Sequence, residues 1–480
     1  MRNLYLTLIL CLFACAANAQ DANYWNNNYN PGNFVTPGAT IAYSKDSGVF
    51  YYNPALIAYE TKNSTSINGQ LYQYTRDVIK NGVGTGLNLN SSGVNITPLM
   101  VSGTIVLKTK KPFALSYGLI RTPLESFQAT QRKDTKMNVL DDSYSPGPEN
   151  YIGEVSYQNK SSITSGFVNV GFKLSRKWAF GFSIEGQIFS QNIIDNISSS
   201  ALINVNTNSG FPPISSISQN SQVTLTHYGL KFKTGLAYNS GRHHLGFLVS
   251  TPIVHVKGSA SLYADMRINN LLFPSGTSLD TTNFLLNTRQ TKHLNPSVKA
   301  PYSFALGYAY DYNKTGQLYF SAEYFTRVNP YNVITADSNS FFRQSQGKQQ
   351  DGSILDLVNA NKPVLNFAIG ISYKVAENIL GYTSFTSDFS FKDKTLEENG
   401  STVSSFSNWN IWHLNLGANF KKRHYNIRPG LLLSYGRTNN YMQSYNFDNP
   451  KDNNGLLGNP HLTAASHLSA GFMLSYIRNF

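Results

Sequence analysis

The sequence predicts an all-β protein: a transmembrane antiparallel β-barrel of about fourteen strands with an N-terminal hatch, or plug, inside its lumen. Three observations carry this. Segments of alternating polarity recur along the chain, one face apolar and rich in aromatics, the other small and hydroxylic, as suits lipid outside and a cavity inside. Short and long connections alternate between these segments without exception. Charged residues make up only 14% of the chain, against about 25% in a typical soluble protein.

Residues 1–19 read as a secretory signal peptide, with basic Arg2, an apolar run from Leu4 to Ala16, and Ala17-Asn18-Ala19 ahead of Gln20. Leu12-Phe13-Ala14-Cys15 could be read as a lipoprotein box, but Phe13 is bulky so close to a cleavage site and a better site follows. Cys11 and Cys15 both fall in the signal, so the mature chain is expected to rest on backbone pairing and burial without disulfides. No later apolar run approaches the roughly 20 residues of a spanning helix. Barrel strands escape that test, because alternation averages to a modest hydropathy.

Residues 20–60 form the expected hatch. The stretch DSGVFYYNPALIAY, 46–59, sets Phe50, Tyr51, Tyr52, Leu56 and Ile57 around the turn Asn53-Pro54-Ala55. Pro54 is unsuited to a central strand, and so many apolar side chains are unsuited to a surface loop, so the segment must be buried against something else. Side chains alone fill a barrel of about eight strands, so fourteen leave a lumen that such a segment can plug.

Residues 61–480 form the barrel. Strands are expected near 64–75, 98–108, 113–122, 161–174, 177–191, 222–238, 242–256, 301–312, 316–328, 363–374, 378–391, 408–421, 424–437 and 466–480. In SITSGFVNVGFKL, Val168, Val170, Phe172 and Leu174 share one face while Ser165, Asn169, Gly171 and Lys173 take the other. YSFALGYAYDY sets Phe304, Leu306 and Tyr308 against Ser303, Ala305 and Gly307 in the same way. The long connections, among them 192–221 and 257–300, are read as extracellular loops and the tight ones as periplasmic turns. The last strand, HLSAGFMLSYIRNF, ends in Phe480, a terminal aromatic resembling the signal that addresses outer-membrane barrels to their assembly machinery.

The stretch PGATIAYSKDSGVFYYNPALIAY resembles the N-terminal hatch of the FadL/TodX-type outer-membrane transporters. The shared features are a Gly-Ala-rich start, the Asp46-Ser47 step and the Asn53-Pro54-Ala55 turn, with strand number, Thr251-Pro252 and the aromatic terminus in support. The resemblance implies uptake of hydrophobic small molecules such as long-chain fatty acids. Ligand is caught among extracellular loops, held above the hatch, and released sideways into the membrane at a kinked third strand. On this sequence the capture loops are 192–221 and 257–300, with Leu202, Phe211, Leu271, Leu272 and Phe273 as candidate contacts; alternatively, these apolar residues pack the loops onto each other. Gly118, on the inward face of FALSYGLIRTP, marks the expected lateral opening.

Alternation places Lys173, Glu185, Lys231, Lys233, Glu323, Arg327, Lys374 and Arg428 in the lumen. They form either a mutually paired wall or a site where Lys231, Lys233 or Arg327 holds a ligand carboxylate. The net charge of +13 does not indicate nucleic acid, since the chain is exported and its cations are scattered in sequence. It is read instead as compatibility with outer-membrane lipid, lipopolysaccharide or an anionic ligand. No HExxH, P-loop or GxSxG pattern occurs, and His243-His244 point to opposite faces, so no enzyme, metal or cofactor is expected. The expected location is the outer membrane of a Gram-negative bacterium. A gated porin for small polar solutes and a barrel-anchored receptor or adhesin, for haem as one example, are the alternatives.

Overall fold

The computed structural model describes residues 22–25, 41–42, 51–107, 113–205, 213–275, 278–291, 294–314, 316–337, 342–343, 355–393, 396, 402–403 and 407–480. The barrel opens with β1 Ser64–Ile79, β2 Leu89–Leu107, β3 Phe113–Met137, β4 Glu149–Lys173, β5 Trp178–Leu202 and β6 Ile214–Ser240. Its seventh staff is interrupted: β7 His243–Ser250 gives way at Thr251-Pro252-Ile253 to β8 Val254–Ser275, on which β9 Ser278–Gln290 folds back. The circuit resumes with β10 Ser303–Asp311 and β11 Gln317–Phe325. After the short strands β12 Val328–Ile334, β13 Phe342–Arg343 and β14 Leu357–Asn361 come β15 Val364–Ala376 and β16 Ile379–Asp388. β17 Thr402–Val403 precedes β18 Ile411–Lys421, β19 Tyr425–Met442 and β20 Leu462–Asn479.

β20 pairs with β1 from Ser64↔Asn479 to Ile79↔Ala465, so the wall closes on itself with about fourteen staves. Closure removes the sheet edges, which is what allows strands to cross lipid. Side-chain burial follows the alternation expected of each strand. In β10, Phe304 and Leu306 are exposed while Ser303, Ala305 and Ala309 are buried; in β20, Leu468, Phe472 and Tyr476 are exposed against buried Ser469, Gly471, Met473 and Ser475. A continuous apolar belt therefore faces outward, the mark of a membrane-spanning barrel. Among the described residues no helix is long and apolar enough to cross a membrane.

The two ends differ. β3 to β6 run 25, 25, 25 and 27 residues, far beyond the roughly 9–11 that cross a bilayer. Their upper halves stand clear of the membrane, which corrects the reading of 192–221 and 257–300 as loops. β5 and β6 pair residue by residue from Trp178↔Tyr238 to Leu202↔Ile214, and β8 and β9 form a hairpin across the second segment. The sequence signal was lost because above the membrane neither face needs to be apolar, while the backbone ladder persists.

An apolar core covers the long-loop end. Phe127, Tyr151, Val155, Ile197, Trp409 and Phe447 pack with Leu271 and Leu456. The segment 443–461 is tied into it: Tyr151 Oη donates to the Leu456 carbonyl at 3.0 Å, and Lys133 Nζ lies 2.8 Å from Asp448 Oδ1. Asp448 Oδ2 also accepts from the Thr85 amide and hydroxyl at 2.6 and 2.8 Å.

Candidate functional site

The N-terminal turn is built by Asn53. Its side chain caps the short 3-10 turn Pro54–Tyr59 by accepting the Ala55 amide at 3.0 Å, and Pro54 suits the first position because it has no N–H to satisfy. The Asn53 Nδ2 donates to the Ile41 carbonyl (2.6 Å) and to the Leu236 carbonyl on β6 (3.2 Å), so one side chain joins turn, hatch and wall. Ala55, Leu56 and Ile57 are all buried.

The wall beneath the turn is a floor of glycines. Gly171, Gly181 and Gly235 are adjacent across β4, β5 and β6 and belong to the inward-facing set. A Cβ at Gly171 or Gly181 would lie 2.7 or 2.5 Å from the Pro54 carbonyl oxygen, and one at Gly235 would lie 3.0 Å from Asn53 Cγ. A second pair, Gly246 and Gly307 on β7 and β10, receives Ile41-Ala42; there a Cβ would meet Ala42 Cα at 2.7 Å or Ala42 N at 2.9 Å. Sequence reasoning did not single out these positions. A clue existed in the recurrence of glycine at inward parity in neighbouring strands, which leaves room for another backbone.

The start of the described chain is anchored separately. Asp388 on β16 accepts the Trp25 amide at 3.1 Å, and Glu323 on β11 accepts the Trp25 indole N–H at 2.7 Å. Tyr24 stacks on Phe325 with centroids 4.0 Å apart.

The lumen charges do not act as one set. Lys233 is committed: its Nζ lies 2.8 Å from Glu185 Oε2 and 4.1 Å from the Tyr51 ring centroid. Tyr51 Oη in turn donates to Glu185 Oε1 at 3.3 Å, so a hatch aromatic closes the pair. Lys231, two residues away on the same face of β6, has no ion-pair or hydrogen-bond partner among the described residues. Arg327 lies past the end of β11, half exposed, paired with Asp393 at 2.8 Å. Lys173 and Lys374 are exposed at the short-turn rim and Arg428 is fully buried.

The candidate capture residues are not an exposed patch. Leu271 and Leu272 are buried at 0% and 3% exposure, Leu271 within the cap core, and Leu202 ends β5 half-buried. Phe211 and the side chain of Phe273 lie outside the described residues. Leu271 packs against the cap residues and Leu272 is buried beside it, so neither side chain is presented to solvent.

Gly118 is also corrected as the place of a wall break. It is paired on both sides, Ser102↔Gly118 and Gly118↔Phe167, and a Cβ there would lie 2.7 Å from Phe167 Cζ. Its role is to seat the Phe167 ring, which meets Tyr51 of the hatch at 5.2 Å. The ladder fails just above. β2 and β3 pair from Leu107↔Phe113 only as far as Met100↔Ile120, yet β2 continues on β1 to Leu89 and β3 continues on β4 to Met137. Contact returns near the top, where the Gln128 amide donates to Ser91 Oγ at 3.0 Å. Pro98 and Pro123 sit in the unpaired interval, each without an N–H to offer, and a bulge between Pro123 and Glu125 switches which residues of β3 face inward. Two prolines inside alternating strands were the sequence signal for this break.

Beneath the break the outer face is hollowed. Leu119, Gly166, Gly186 and Leu230 form one outward row across β3 to β6, and the two central glycines leave a depression of about 820 Å³ rimmed by Val101, Tyr117, Val168 and Ile184. Its lining is almost wholly apolar. Among the described residues no group of three His, Cys, Asp or Glu side chains is placed to hold a metal ion.

No protein-family model matches the chain, and no curated protein matches it in sequence. Its fold is similar to solved barrels. A FadL homologue from Pseudomonas aeruginosa has 13% identity and TM-score 0.55, with 95% of this chain and 100% of that one covered. The toluene transporter TodX of P. putida has 12% identity and TM-score 0.52 over 91% and 95% of the two chains. The toluene transporter TbuX of Ralstonia pickettii has 11% identity and TM-score 0.51 over 92% and 95%. At these identities the likeness is one of fold.

Proposed function

We propose that the protein carries hydrophobic small molecules across an outer membrane and delivers them sideways through its own wall. The observation that carries this reading is the failure of the β2–β3 ladder above Met100↔Ile120, directly over an apolar hollow on the lipid-facing side. A polar solute gains nothing from such an exit, whereas an apolar one passes from lumen to lipid without crossing water. The hatch closes the straight route, its backbone pressed on the glycine floor. The solved barrels of similar fold include toluene transporters, which is consistent with an apolar cargo.

Within this reading Lys231 is the group for a cargo carboxylate: it lies opposite Glu185 across β5 and β6, but the Glu185 carboxylate bonds Lys233, which leaves the Lys231 ammonium without a hydrogen bond among the described residues. A fatty acid is then the cargo that uses both lumen and wall. The test is uptake of radiolabelled oleate and of toluene by cells that lack their own transporters for both. Uptake that falls when Gly166→Leu and Gly186→Leu fill the hollow, while oleate binding to the purified barrel persists, supports lateral delivery. Uptake no better than in cells without the barrel, or preferential passage of a small sugar, overturns it.

A further inference from the structure

The +13 charge, scattered in sequence, is gathered in space. Four of the five described short turns carry cations: Arg176-Lys177 between β4 and β5, Arg242 between β6 and β7, Lys314 between β10 and β11, and Lys422-Arg423 between β18 and β19; the fifth, Glu377-Asn378 between β15 and β16, has Lys374 nearby. Lys374 lies near the end of β15, Lys62 just before β1 and Arg478 at the close of β20, and all of these side chains are exposed. Against them, the acidic side chains described at this end are Glu60, Asp311 and Glu377. The cations recur around the circumference, because the short turns fall between alternate pairs of staves.

Their height is set by aromatics. Trp178, beside Lys177, packs against Tyr238 at 4.7 Å; Tyr425, two residues past Arg423, stacks on Tyr476 at 6.0 Å; exposed Tyr373 adjoins Lys374. Arg478 lies over the Phe480 ring at 5.3 Å. Outward aromatics mark the boundary between hydrocarbon and headgroups, so cations one or two residues beyond them stand at phosphate level, their stems lying along apolar surface.

We infer that the short-turn rim is a cationic collar that binds the phosphates of anionic phospholipids in the leaflet around it. A partner protein docking from one side would need a patch. A collar with cations at four of the five described turns and Lys374 beside the fifth matches a partner that surrounds the barrel. The inference rests on the short turns facing the phospholipid leaflet, and does not depend on what the barrel transports.

The test is the motional restriction of spin-labelled phosphatidylglycerol and phosphatidylcholine by the reconstituted full-length protein. Cations close to a membrane surface are worth about fivefold each in lipid association before screening, so an annular lipid meeting one of them should favour phosphatidylglycerol by about two- to fivefold. The preference should fall in high salt and approach equality in a barrel bearing Arg176→Gln, Lys177→Gln, Arg242→Gln, Lys374→Gln, Lys422→Gln and Arg423→Gln. These positions are exposed, and an unchanged heat-induced shift on gels verifies the fold. Equal restriction of both lipids by the parent, or a preference that survives all six changes, overturns the collar. A separate arm labels Ser240→Cys on whole cells with a membrane-impermeant maleimide. Labelling from outside would put this rim among lipopolysaccharide and overturn the phospholipid assignment, leaving the transport reading to its own uptake test.

Discussion

Replacing the floor glycines by alanine should unseat the hatch. At Gly181 the new methyl would lie 2.5 Å from the Pro54 carbonyl oxygen, and at Gly171 2.7 Å from the same atom. Ordinary contact is about 3.5–4.0 Å, so the turn Pro54–Tyr59 must retreat by about 1 Å or the wall must bend. Neither gives easily: at both sites the methyl would meet the Pro54 backbone, joined at Gly171 by the Ile57 side chain. Overfilling a packed site costs about 1–3 kcal/mol, so Gly181→Ala alone should raise the population with a displaced hatch by about 5- to 150-fold. The three changes Gly171→Ala, Gly181→Ala and Gly235→Ala press on the same turn and will not add simply, but together they should leave it undocked for much of the time. The assay is single-channel conductance in planar bilayers. The parent should be silent, Gly181→Ala should flicker, and the triple variant should show sustained steps. Gly166→Ala is the control: it faces outward, with Leu119 Cδ2 at 3.4 Å, and should stay silent. A triple variant that folds, shifts normally on heating and remains closed would refute the idea that this contact seals the lumen; so would steady conductance from the parent.

Other outcomes follow from the same contacts. Lys231→Met should weaken oleate binding by about tenfold or more, the worth of a charge-assisted hydrogen bond, and leave toluene binding unchanged; equal losses for both ligands would remove Lys231 from the carboxylate site. At the long-loop end, well above the membrane, burial tends to raise the Asp448 carboxyl, but Lys133 and the two Thr85 donors outweigh it and hold the group below its usual 3.8. Its contribution is therefore present above that value and lost as pH falls through the depressed one, so hydrogen exchange in 443–461 should accelerate below about pH 4, and Asp448→Asn should abolish that acid step. Asp195, near the top of β5, behaves oppositely: burial raises it to about 6 despite the Tyr445 hydroxyl that donates to it at 3.0 Å. Its protonated form is favoured in the fold, so stability is lost as pH rises from about 4 through about 6. Asp195→Asn should tighten the cap at pH 8, and no change in exchange there would count against a buried charge.

The barrel was legible because lipid imposes a rule on every spanning strand. Val168 and Phe172 must face out and Ser165 and Asn169 must face in, and that parity is written residue by residue. The burial of the turn was legible for a related reason: Leu56 and Ile57 beside Pro54 are apolar and lie buried. Strand lengths above the membrane were not, since Ser198, Gln219 and Asn220 can stand in a ladder or a loop with equal ease once water is on both sides. Glu185 stands directly opposite Lys231 across β5 and β6, yet its carboxylate bonds the diagonal Lys233, a choice made by side-chain reach and packing that a linear pattern does not contain. Gly118 lacks a side chain, but backbone pairing does not need one; the β2–β3 ladder stops instead where Pro98 and Pro123, which offer no amide hydrogen, stand.

The way the N-terminal segment is held also dictates a chronology. Trp25 is fastened to β11 and β16, Ile41 and Ala42 to β7 and β10, and the Asn53 turn to β4, β5 and β6. None of these seats exists until strands distant in sequence have been paired and the circle drawn nearly shut. The part of the chain synthesised first therefore cannot take these seats until strands hundreds of residues later have been laid down.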